Sequence, residues 1–515
     1  MLTRLKVTGF KNLMDVDIRF GLFTCIAGRN ATGKSNLFDA IRFLSAAATE
    51  TLMKAALSVR NEDGSRADAT SIFHKAGEHT SERMRFEAEM IVPEKVIDDL
   101  GMTATATVRF LRYTLELRYS DNPTGESSPR GPIEIVTEEL VPIAMKDADK
   151  LLAFPRNKAS WRDSTLRVAE PKYRRAAFIS TEKTKDGRVI KLHGDGGSRG
   201  RPFSSNPATQ FRTTLSITNT AENPTVLCAK REMESWRLLQ LEPAALRNPD
   251  QISASVQHMA ANGAHLPATL YQLAHGPMTT TTGTQNEADP QRVYTQVANR
   301  LSEFLDDVQS VSVERNEKWD SLTLEVTDRN GTVHPARSLS DGTLRFLALT
   351  VLELDPQSQG VICLEEPENG IHPERIPGML RLLRDIATDP DEPVDETNPL
   401  RQIIINTHSP TVVLETDDDC LLVAESCPII QGNRLSAGVR FAHLSETWRE
   451  KAFPEELTVT KGKLLAYLNP IPAQDDTMRD SYERVCRQTV NPARNGRRRV
   501  ADRCDLQMYL PLVAE

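Results

Sequence analysis

The residues best suited to do chemistry stand near the start of the chain, in the segment from Gly28 to Ser35, which reads GRNATGKS. It follows an apolar run, Leu22 to Ala27, typical of a strand buried on both faces, and precedes a predicted helix from Asn36 to Leu44. In this G-x-x-x-x-G-K-S pattern, backbone N–H groups wrap a β-phosphate, Lys34 neutralises the β and γ oxygens, and the Ser35 hydroxyl binds Mg²⁺. The segment therefore predicts a phosphate-binding loop.

A second set of chemical groups lies far downstream, where an apolar run from Val361 to Leu364 ends in Glu365 and Glu366. This run predicts a strand, and in a sheet that carries a phosphate-binding loop the tip of such a strand lies beside the phosphates. One carboxylate can then bind Mg²⁺ while the next activates the attacking water. The two acids are therefore expected to have different functions, one in metal binding and one in activating water.

The stretch from Arg401 to Thr407 repeats this design, because a predicted buried strand ends at His408. A lone histidine is usually a surface or core residue with ordinary hydrogen bonds. This one is expected at the same edge of the sheet, where a sensor of the γ-phosphate would lie.

Four segments, in this order, resemble the ABC-type predicted ATPases related to RecF, SMC heads and the overcoming-lysogenisation-defect (OLD) nucleases. They are the phosphate-binding loop, LSDGT at 339–343, EEPENGIHP at 365–373 and THSP at 407–410. The resemblance covers residues 1–45 and 335–415 well. It implies an α/β fold, namely a RecF/SMC-like ABC ATPase head with a P-loop sheet, a β-rich subdomain and a helical insertion. It also implies ATP and Mg²⁺ as cofactors.

The resemblance also assigns roles to single residues. It makes Ser35 and Glu365 the Mg²⁺ ligands, Glu366 the catalytic base and His408 the switch histidine. The LSDGT segment corresponds to a signature that contacts the γ-phosphate held by the opposite subunit, so each site would need two chains, in a homodimer or a higher oligomer. The implied nucleotide contacts are Asn30, Gly33, Lys34, Ser35, Asn36, Lys11, Asn12, Ser340 and Gly342.

The chain also departs from the wider superfamily. Glu365 stands where transport-type ATPases have Asp, which leaves open whether it contacts Mg²⁺ directly or through water. No glutamine is identified for the loop that usually binds Mg²⁺ from the first lobe. The interval from Ser35 to Ser340 is far longer than in transporter ATPases, and no sustained heptads predict a long coiled coil. A compact RecF-like head fits best.

The motifs divide the chain into four predicted regions. Residues 1–230 form an N-terminal ATPase lobe with a β-rich subdomain, and residues 231–290 a helical insertion with a flexible linker. Residues 291–430 form the C-terminal lobe with the signature, the two acids and the histidine. Residues 431–515 form a tail with a basic cluster.

Local patterns refine this division. Leu5 to Val7 and Val16 to Phe20 alternate like paired strands, and an Asn330-Gly331 pair predicts a hairpin. Residues 229–275 look helical, and apolar residues between Val293 and Val308 recur at helical spacing. The stretches 194–200 and 278–284 predict loose connections.

Composition bounds the remaining possibilities. The chain has 515 residues, of which 39% are hydrophobic and 26% charged, with no apolar run of the roughly 18 residues that a membrane span needs. Its N-terminus lacks the apolar core of a signal peptide, so a cytoplasmic protein without membrane contact is expected. The net charge of −8 excludes general attraction to nucleic-acid phosphate. Seven cysteines without a C-x-x-C pair predict neither a zinc site nor a disulfide framework.

The biological role has three candidate interpretations. Resemblance to prokaryotic phage-defence ATPases implies an ATP-switched sensor or scaffold for a separately encoded effector, namely a nuclease in antiviral defence. The alternatives are a RecF-like DNA-repair ATPase and a self-contained OLD-type nuclease. The last would need a metal-binding TOPRIM domain, for which Glu425 offers one half only, since no later strand ends in Asp-x-Asp and 417–419 reads as a solvated turn.

The tail carries a cluster of arginines without interleaved aromatic residues. A solvated helix face or a disordered end is one interpretation, and a docking surface for DNA, RNA or an acidic partner is the other. The cluster comprises Arg484, Arg487, Arg494, Arg497, Arg498, Arg499 and Arg503.

Overall fold

A computed structural model describes residues 1–59, 69–77, 79–119, 133–168, 176–185, 187–195, 203–205, 210–253, 258–276, 289–431 and 434–460, together with residues 463, 464, 467, 499, 500 and 503. The strands are β1 (Leu2–Thr8), β2 (Val16–Arg19), β3 (Phe23–Ala27), β4 (Lys75–Ala76), β5 (His79–Thr80), β6 (Arg83–Ile91), β7 (Lys95–Ile97), β8 (Thr103–Thr105), β9 (Phe110–Tyr119), β10 (Ile133–Pro142), β11 (Ile179–Thr184), β12 (Gly187–Leu192), β13 (Phe203–Ser205), β14 (Arg237–Leu239), β15 (Asp250–Gln251), β16 (Val308–Asn316), β17 (Ser321–Asp328), β18 (Val333–Pro335), β19 (Gly360–Glu365), β20 (Arg401–Thr407), β21 (Leu421–Gln431) and β22 (Arg434–His443). The α-helices are α1 (Lys34–Ala47), α2 (Leu52–Ser58), α3 (Met145–Leu151), α4 (Lys158–Thr165), α5 (Thr214–Ile217), α6 (Pro224–Glu234), α7 (Pro243–Leu246), α8 (Leu266–His275), α9 (Pro290–Ser302), α10 (Asp341–Leu354), α11 (Ile376–Ile386), α12 (Pro410–Glu415) and α13 (Trp448–Ala452).

Within the described residues, the centre of the molecule is a six-stranded sheet in the order β14-β19-β20-β3-β21-β22. Neighbouring strands are parallel except for the β21-β22 pair. Every residue of β3 and of β20 is buried, because strands of a parallel sheet are covered on both faces. The register places Glu365 opposite Asn406 and Thr407 opposite Ala27, so the carboxyl ends of three neighbouring strands meet at one edge.

The two faces of the central sheet belong to two different cores. Val361 and Ile404 join the core around α1, whereas Ile362 and Ile403 join the core that includes α9, α10 and α11. Successive residues of a strand point to opposite faces, which is why neighbouring positions divide in this way. The sheet is therefore the middle layer between two helical layers.

A second sheet, eight-stranded in the part of the chain that the structure describes, runs β13-β12-β11-β10-β9-β6-β1-β2 with antiparallel neighbours. Helix α1 fills the space between the two sheets. Its Phe43 stacks on Phe86 of β6 at 5.3 Å between ring centroids, and Phe10 meets the same ring edge-on at 5.5 Å. The antiparallel sheet thus supports the helix that begins at Lys34.

This architecture confirms the predicted α/β class. It has a sheet that carries the phosphate-binding loop, a β-rich subdomain, and helices inserted in the chain between the earlier and the later strands of the central sheet. The predicted β1-β2 pair is present, and β17 and β18 form the hairpin at Asn330-Gly331, where Gly331 has φ +81°. No helix of the described ranges is long and apolar enough to cross a membrane.

Two local predictions are wrong. Residues 229–275 are not helical throughout, since Arg237–Leu239 forms β14, the edge strand parallel to β19. Helix α9 ends at Ser302, and Val308 begins β16 instead of continuing the helical face. A three-residue strand shows no periodicity of its own, because pairing with its neighbour decides its conformation. The predicted linker at 278–284 and part of the loop at 194–200 lie outside the described residues.

One buried side chain joins the two sheets. Gln402 of β20 accepts a hydrogen bond from the Leu2 amide at 2.9 Å and donates to the carbonyls of Leu2 at 2.8 Å and Gly21 at 2.7 Å. The side chain is fully buried, so an apolar replacement would leave these backbone groups without partners. Gln402 therefore fixes the first strand of the antiparallel sheet to the central strand of the other.

We expect Gln402→Leu to lower the free energy of unfolding by about 3 kcal/mol, because each buried backbone group left unpaired costs about 1–3 kcal/mol. Urea denaturation measures this. Gln359→Leu is the matched control, since Gln359 is exposed and bonds only locally to the Pro356 carbonyl, and its effect should stay within about 0.5 kcal/mol. Equal stability of the two variants would contradict the proposed link.

Candidate nucleotide-binding site

The loop from Gly28 to Ser35 connects β3 to α1 and is fixed at both ends. At its start, the Gly28 amide donates to the Thr407 carbonyl of β20 at 3.3 Å. At its end, Gly33 has φ +103°, and a Cβ there would lie 2.2 Å from the Asn12 side chain. Only glycine accepts both this backbone conformation and this close approach. The contact of Gly28 and the conformation of Gly33 therefore set the curvature of the loop.

Lys34 folds back over the loop that precedes it. Its ammonium donates to the carbonyl oxygens of Gly28 at 2.7 Å and Arg29 at 2.9 Å, and the residue is only 6% exposed. Burial lowers the pKa of Lys34, and the charges of Glu366, Glu368 and Glu365, in that order, oppose this shift. Phosphate oxygens are stronger acceptors than carbonyls, so the ammonium is placed to exchange these partners for a phosphate.

Two asparagines brace the loop from the side. Asn36 on α1 donates to the Asn12 side-chain oxygen at 2.8 Å, and the Asn12 amide donates to the Thr32 carbonyl at 3.3 Å. Asn30 and Ser35 are exposed, on the loop and on the first turn of α1. The structure therefore brings Asn12 and Asn36 to the loop, with Asn30 and Ser35 at its surface.

Lys11 departs from its predicted role as a nucleotide contact. Its ammonium lies 2.8 Å from Asp39 in a pair that is almost completely buried beside α1. A buried charge pair of this kind is costly to open, because each ion would be left uncompensated. The correction is that the Lys11 side chain anchors α1, while its neighbour Asn12 is the residue at the loop.

The two predicted acids lie at the tip of β19, opposite Asn406 of β20. The Asn406 amide donates to Glu365 at 3.4 Å, and its side-chain oxygen accepts from the Glu366 amide at 3.0 Å. Glu366 has φ +43°, which is uncommon for a residue other than glycine. The strand ends at Glu365, so Glu366 lies on this left-handed turn and not on β19.

Glu366 and His408 contact each other directly. The distance from the Glu366 Oε1 to the His408 Nδ1 is 2.8 Å, and Asn369 donates to the other carboxylate oxygen at 2.8 Å. A histidine held by a carboxylate in this way has a fixed ring orientation. The structure thus brings together two residues that the sequence assigns separately as base and switch histidine.

Glu368 is an acid at this site that the sequence reasoning missed. It is 7% exposed, and one of its oxygens accepts a hydrogen bond from the Thr407 hydroxyl. Burial has the largest effect on this carboxyl and raises its pKa, whereas the hydrogen bond from Thr407 acts in the opposite direction. The sequence motif contains this residue, since Glu368 belongs to the EEPENGIHP run. The prediction considered only the two acids directly at the end of the strand and therefore passed over Glu368.

The signature segment begins α10. The Ser340 hydroxyl accepts from the Thr343 amide at 3.2 Å, as an N-cap residue does. A Cβ on Gly342 would lie 3.1 Å from the Gly370 carbonyl, so the segment packs on the turn that follows the acids. Arg247 binds the Leu339 carbonyl and the Asp341 carboxylate. Ser340 itself is exposed, which leaves the start of the helix facing solvent.

The C-terminal acids and arginines are engaged with one another. Asp417 and Asp418 are each only 5% exposed, so the prediction of a solvated turn at 417–419 is wrong. Arg384 lies 3.5 Å from Asp417, and Arg503 lies 3.7 Å from Asp418. These ion pairs neutralise charge on the acidic turn. Arg503 is engaged in one of them and is therefore not part of an exposed docking surface.

Arg499 is also paired, with Glu415 at 2.9 Å, although it remains partly exposed. The other five arginines of the cluster, at positions 484–498, lie outside the described residues. The two described members therefore attach the tail to the segment between the end of α12 and β21.

One comparison with known proteins covers part of this site. A family model described as "AAA domain, putative AbiEii toxin, Type IV TA system" matches residues 232–415, which is less than half of the chain. The match includes the signature segment, both acids and His408. The matched segment and the loop beside it support an AAA-type ATPase domain that binds nucleotide. No curated protein matches the chain.

Solved structures of SMC heads are similar in outline. An SMC head bound to the C-winged-helix domain of ScpA is 11% identical, with 86% of this chain and 99% of that chain covered and a TM-score of 0.42. An SMC head domain from Thermotoga maritima is 12% identical, with coverages of 86% and 99% and a TM-score of 0.34. An SMC head with an extended coiled coil, bound to the C-terminal domain of ScpA and derived from Pyrococcus furiosus, is 10% identical, with coverages of 88% and 98% and a TM-score of 0.39.

The raised pKa of Glu368 predicts a pH-dependent stability. A carboxyl whose pKa is higher in the folded chain than in the unfolded chain destabilises the fold above the unfolded pKa, and this penalty is absent below it. Glu368→Gln should therefore melt at a higher temperature than the natural chain at pH 8, and the difference should vanish as pH falls to the ordinary carboxyl value of about 4.5.

Differential scanning fluorimetry across this pH range measures the difference. Glu374→Gln is the matched control, because Glu374 lies on the same segment with 87% of its side chain exposed. The control should show no such trend. A Glu368→Gln variant less stable than the natural chain at pH 8 would contradict the expectation.

Proposed function

We propose that the chain binds and hydrolyses ATP as an ABC-type ATPase and acts as a nucleotide-switched sensor or scaffold for a separate effector. The observation that carries this is the convergence of four groups at one edge of the central sheet. Lys34 follows β3, Glu365 ends β19 with Glu366 directly after it, and His408 follows β20. Parallel strands bring their carboxyl ends to one edge, which is where open α/β sheets bind ligands.

In this proposal each group has a step in hydrolysis. The Lys34 ammonium holds the β and γ oxygens, and Glu366 accepts a proton from the attacking water while His408 keeps its carboxylate oriented. Ser35 and Glu365 would hold Mg²⁺, since hydroxyl and carboxylate oxygens are its preferred ligands. Mg²⁺, when bound, neutralises charge on the phosphate oxygens. These residues supply binding, orientation and proton transfer.

The exposed signature segment supports a site completed by a second copy of the chain. Ser340 and Gly342 begin a helix of 14 residues whose N-terminal end faces solvent. Such an end attracts anions through its free amides and the helix dipole. In a head-to-head dimer it would meet the γ-phosphate held by the partner. Two chains would then form two composite sites, and this requirement favours a homodimer.

This arrangement predicts complementation between inactive variants. Lys34→Ala removes the phosphate-binding charge and Ser340→Arg blocks the signature, so each alone should hydrolyse ATP at under about 1% of the normal rate. In mixed dimers one composite site keeps both its Lys34 and its Ser340, and part of the activity should return. A coupled ATPase assay measures this at several mixing ratios.

Lys54→Ala is the matched lysine control, because Lys54 is exposed on α2. It should leave turnover unchanged. Undiminished hydrolysis by Lys34→Ala would end the ATPase proposal. Two inactive variants that stay inactive together, in a mixture shown to exchange subunits, would argue against the composite site.

We place the effector outside this chain and propose that it is a nuclease acting in prokaryotic antiviral defence. The family description, which names a toxin of a toxin–antitoxin system, fits a prokaryotic conflict system. The tail acid Glu425 supports a separate effector, because its Oε2 lies 2.7 Å from Arg440 and 2.8 Å from Lys463. These cations lower the pKa of Glu425 against the opposing effect of burial. A carboxylate neutralised in this way is poorly placed to hold a nuclease metal.

The purified chain should therefore leave plasmid DNA and RNA intact in Mg²⁺ or Mn²⁺ while it hydrolyses ATP. Gel electrophoresis after prolonged incubation measures cleavage. Cleavage that persists in Lys34→Ala but disappears in Glu425→Gln would replace this proposal with a self-contained nuclease. Glu374→Gln again serves as the control for a surface carboxylate.

A further inference from the structure

Arg247 brings a positive charge to the start of the signature helix from a distant part of the chain. It follows α7 and stands 94 residues before Asp341. Its Nη2 group donates to the Leu339 carbonyl at 3.1 Å and to the Asp341 carboxylate. These two acceptors flank Ser340, the residue that the proposed dimer directs at the γ-phosphate. The guanidinium therefore lies beside the point at which the partner's nucleotide would arrive.

The backbone of Arg247 is fixed, while its side chain keeps donors for a ligand. The Arg247 amide donates to the Pro243 carbonyl at 3.2 Å, and the preceding residue, Leu246, is fully buried. Both side-chain bonds leave from Nη2, and among the described residues the Nε and Nη1 groups make no hydrogen bond. A guanidinium has five N–H donors in a planar arrangement that matches phosphate oxygens. Arg247 can therefore bind a further anionic group.

Asp341 is the first residue of α10, where its charge has two opposite effects. A carboxylate there stabilises the helix through its dipole, but the same charge repels an incoming phosphate. The ion pair with Arg247 neutralises that carboxylate. With 31% of the arginine side chain and 48% of the aspartate side chain exposed, the pair is in contact with water and is weakly held. A phosphate, which carries more charge, can therefore replace Asp341 as the partner of the guanidinium.

We propose that Arg247 acts on the γ-phosphate of the ATP held by a second copy of the chain, and that Asp341 is its partner only until that phosphate arrives. When two chains close around ATP, the guanidinium exchanges the Asp341 carboxylate for γ-phosphate oxygens, and its bond to the Leu339 carbonyl keeps it beside Ser340. Arg247 then stabilises the negative charge on these oxygens during hydrolysis. Turnover therefore depends on closure. The inference rests on the proposed ATPase function and its composite site.

Complementation tests this assignment, because it places Arg247 on the same side of the composite site as Ser340. Arg247→Ala should lower kcat by about a hundredfold or more, as expected for an arginine supplied to a phosphoryl-transfer site by a second chain. Mixed with Lys34→Ala it should regain part of the activity, because one site then has both Lys34 and Arg247. Mixed with Ser340→Arg it should regain none, because each site lacks one of the two groups. The reverse pattern, recovery with Ser340→Arg or none with Lys34→Ala, would overturn the proposal.

A second variant separates contact with the phosphate from simple support of the signature segment. Asp341→Asn removes the competing carboxylate, so the ATP concentration for half-maximal hydrolysis should fall by about two- to fivefold, the range expected for the loss of an exposed ion pair. If Arg247 only held the signature through Asp341, this variant would lose kcat as Arg247→Ala does, and that result would contradict the contact. Arg247→Lys keeps the charge but not the planar donors, so it should recover only part of the lost kcat.

Arg231→Ala is the matched control, because the Arg231–Asp99 ion pair has almost the same exposure, 31% and 52%, but involves α6 instead of α10. It should leave kcat unchanged. Arg247→Ala should still bind ADP, which lacks the γ-phosphate, with normal affinity. Weakened ADP binding or a normal kcat in this variant would overturn the inference, and Asp341→Asn decides it if Arg247→Ala is unstable. In these outcomes Lys34→Ala still abolishes hydrolysis, whereas a natural chain that does not hydrolyse ATP would end the ATPase proposal and this inference together.

Discussion

The hydrogen bond from the Gly28 amide to the Thr407 carbonyl is the contact on which the rest of the site depends. It continues the parallel pairing of β3 with β20 by one step beyond the sheet. On the other side of β20, Asn406 lies opposite Glu365 and bonds to the Glu366 amide. One strand therefore sets the distance between the phosphate-binding loop and the acids. Any change in its register would move the phosphate-binding loop away from the acids.

The opposite end of β20 shows how that register is held. Arg401 donates at 2.7 Å to the carbonyls of Glu353 and Asp355 at the end of α10, and Gln402 bonds to Leu2 and Gly21. Polar groups this deeply buried must find partners, and these partners exist in one register only. They belong to the signature helix on one side and to the antiparallel sheet on the other. The hydrogen bonds at this end of β20 thus fix the position of the opposite end, which lies beside the acids and the loop.

The sequence was sufficient to predict those elements in which a chemical motif follows directly on a local apolar pattern. The loop, the strand tips at Glu365 and Thr407 and the class of fold follow from apolar runs that end in polar residues. The side chain of Glu368 could not be placed in this way, because its position depends on the left-handed turn at Glu366. The burial of Asp418 depends on a contact with Arg503, which comes from a distant segment. Periodicity carries no information about such contacts.

The charges around Lys34 affect how a nucleotide can bind. Three glutamates, Glu365, Glu366 and Glu368, act on this single ammonium. A triphosphate would add several more negative charges to a site that burial already separates from water. The loop amides and Lys34 alone do not balance this excess, so productive binding needs further positive charge. Mg²⁺ is one source, and the amino-terminal end of a partner's α10 is another, which gives the exposed position of Ser340 an electrostatic reason. In the proposed dimer, closure of two chains and binding of nucleotide would be parts of one equilibrium, since each would neutralise the charge that opposes the other.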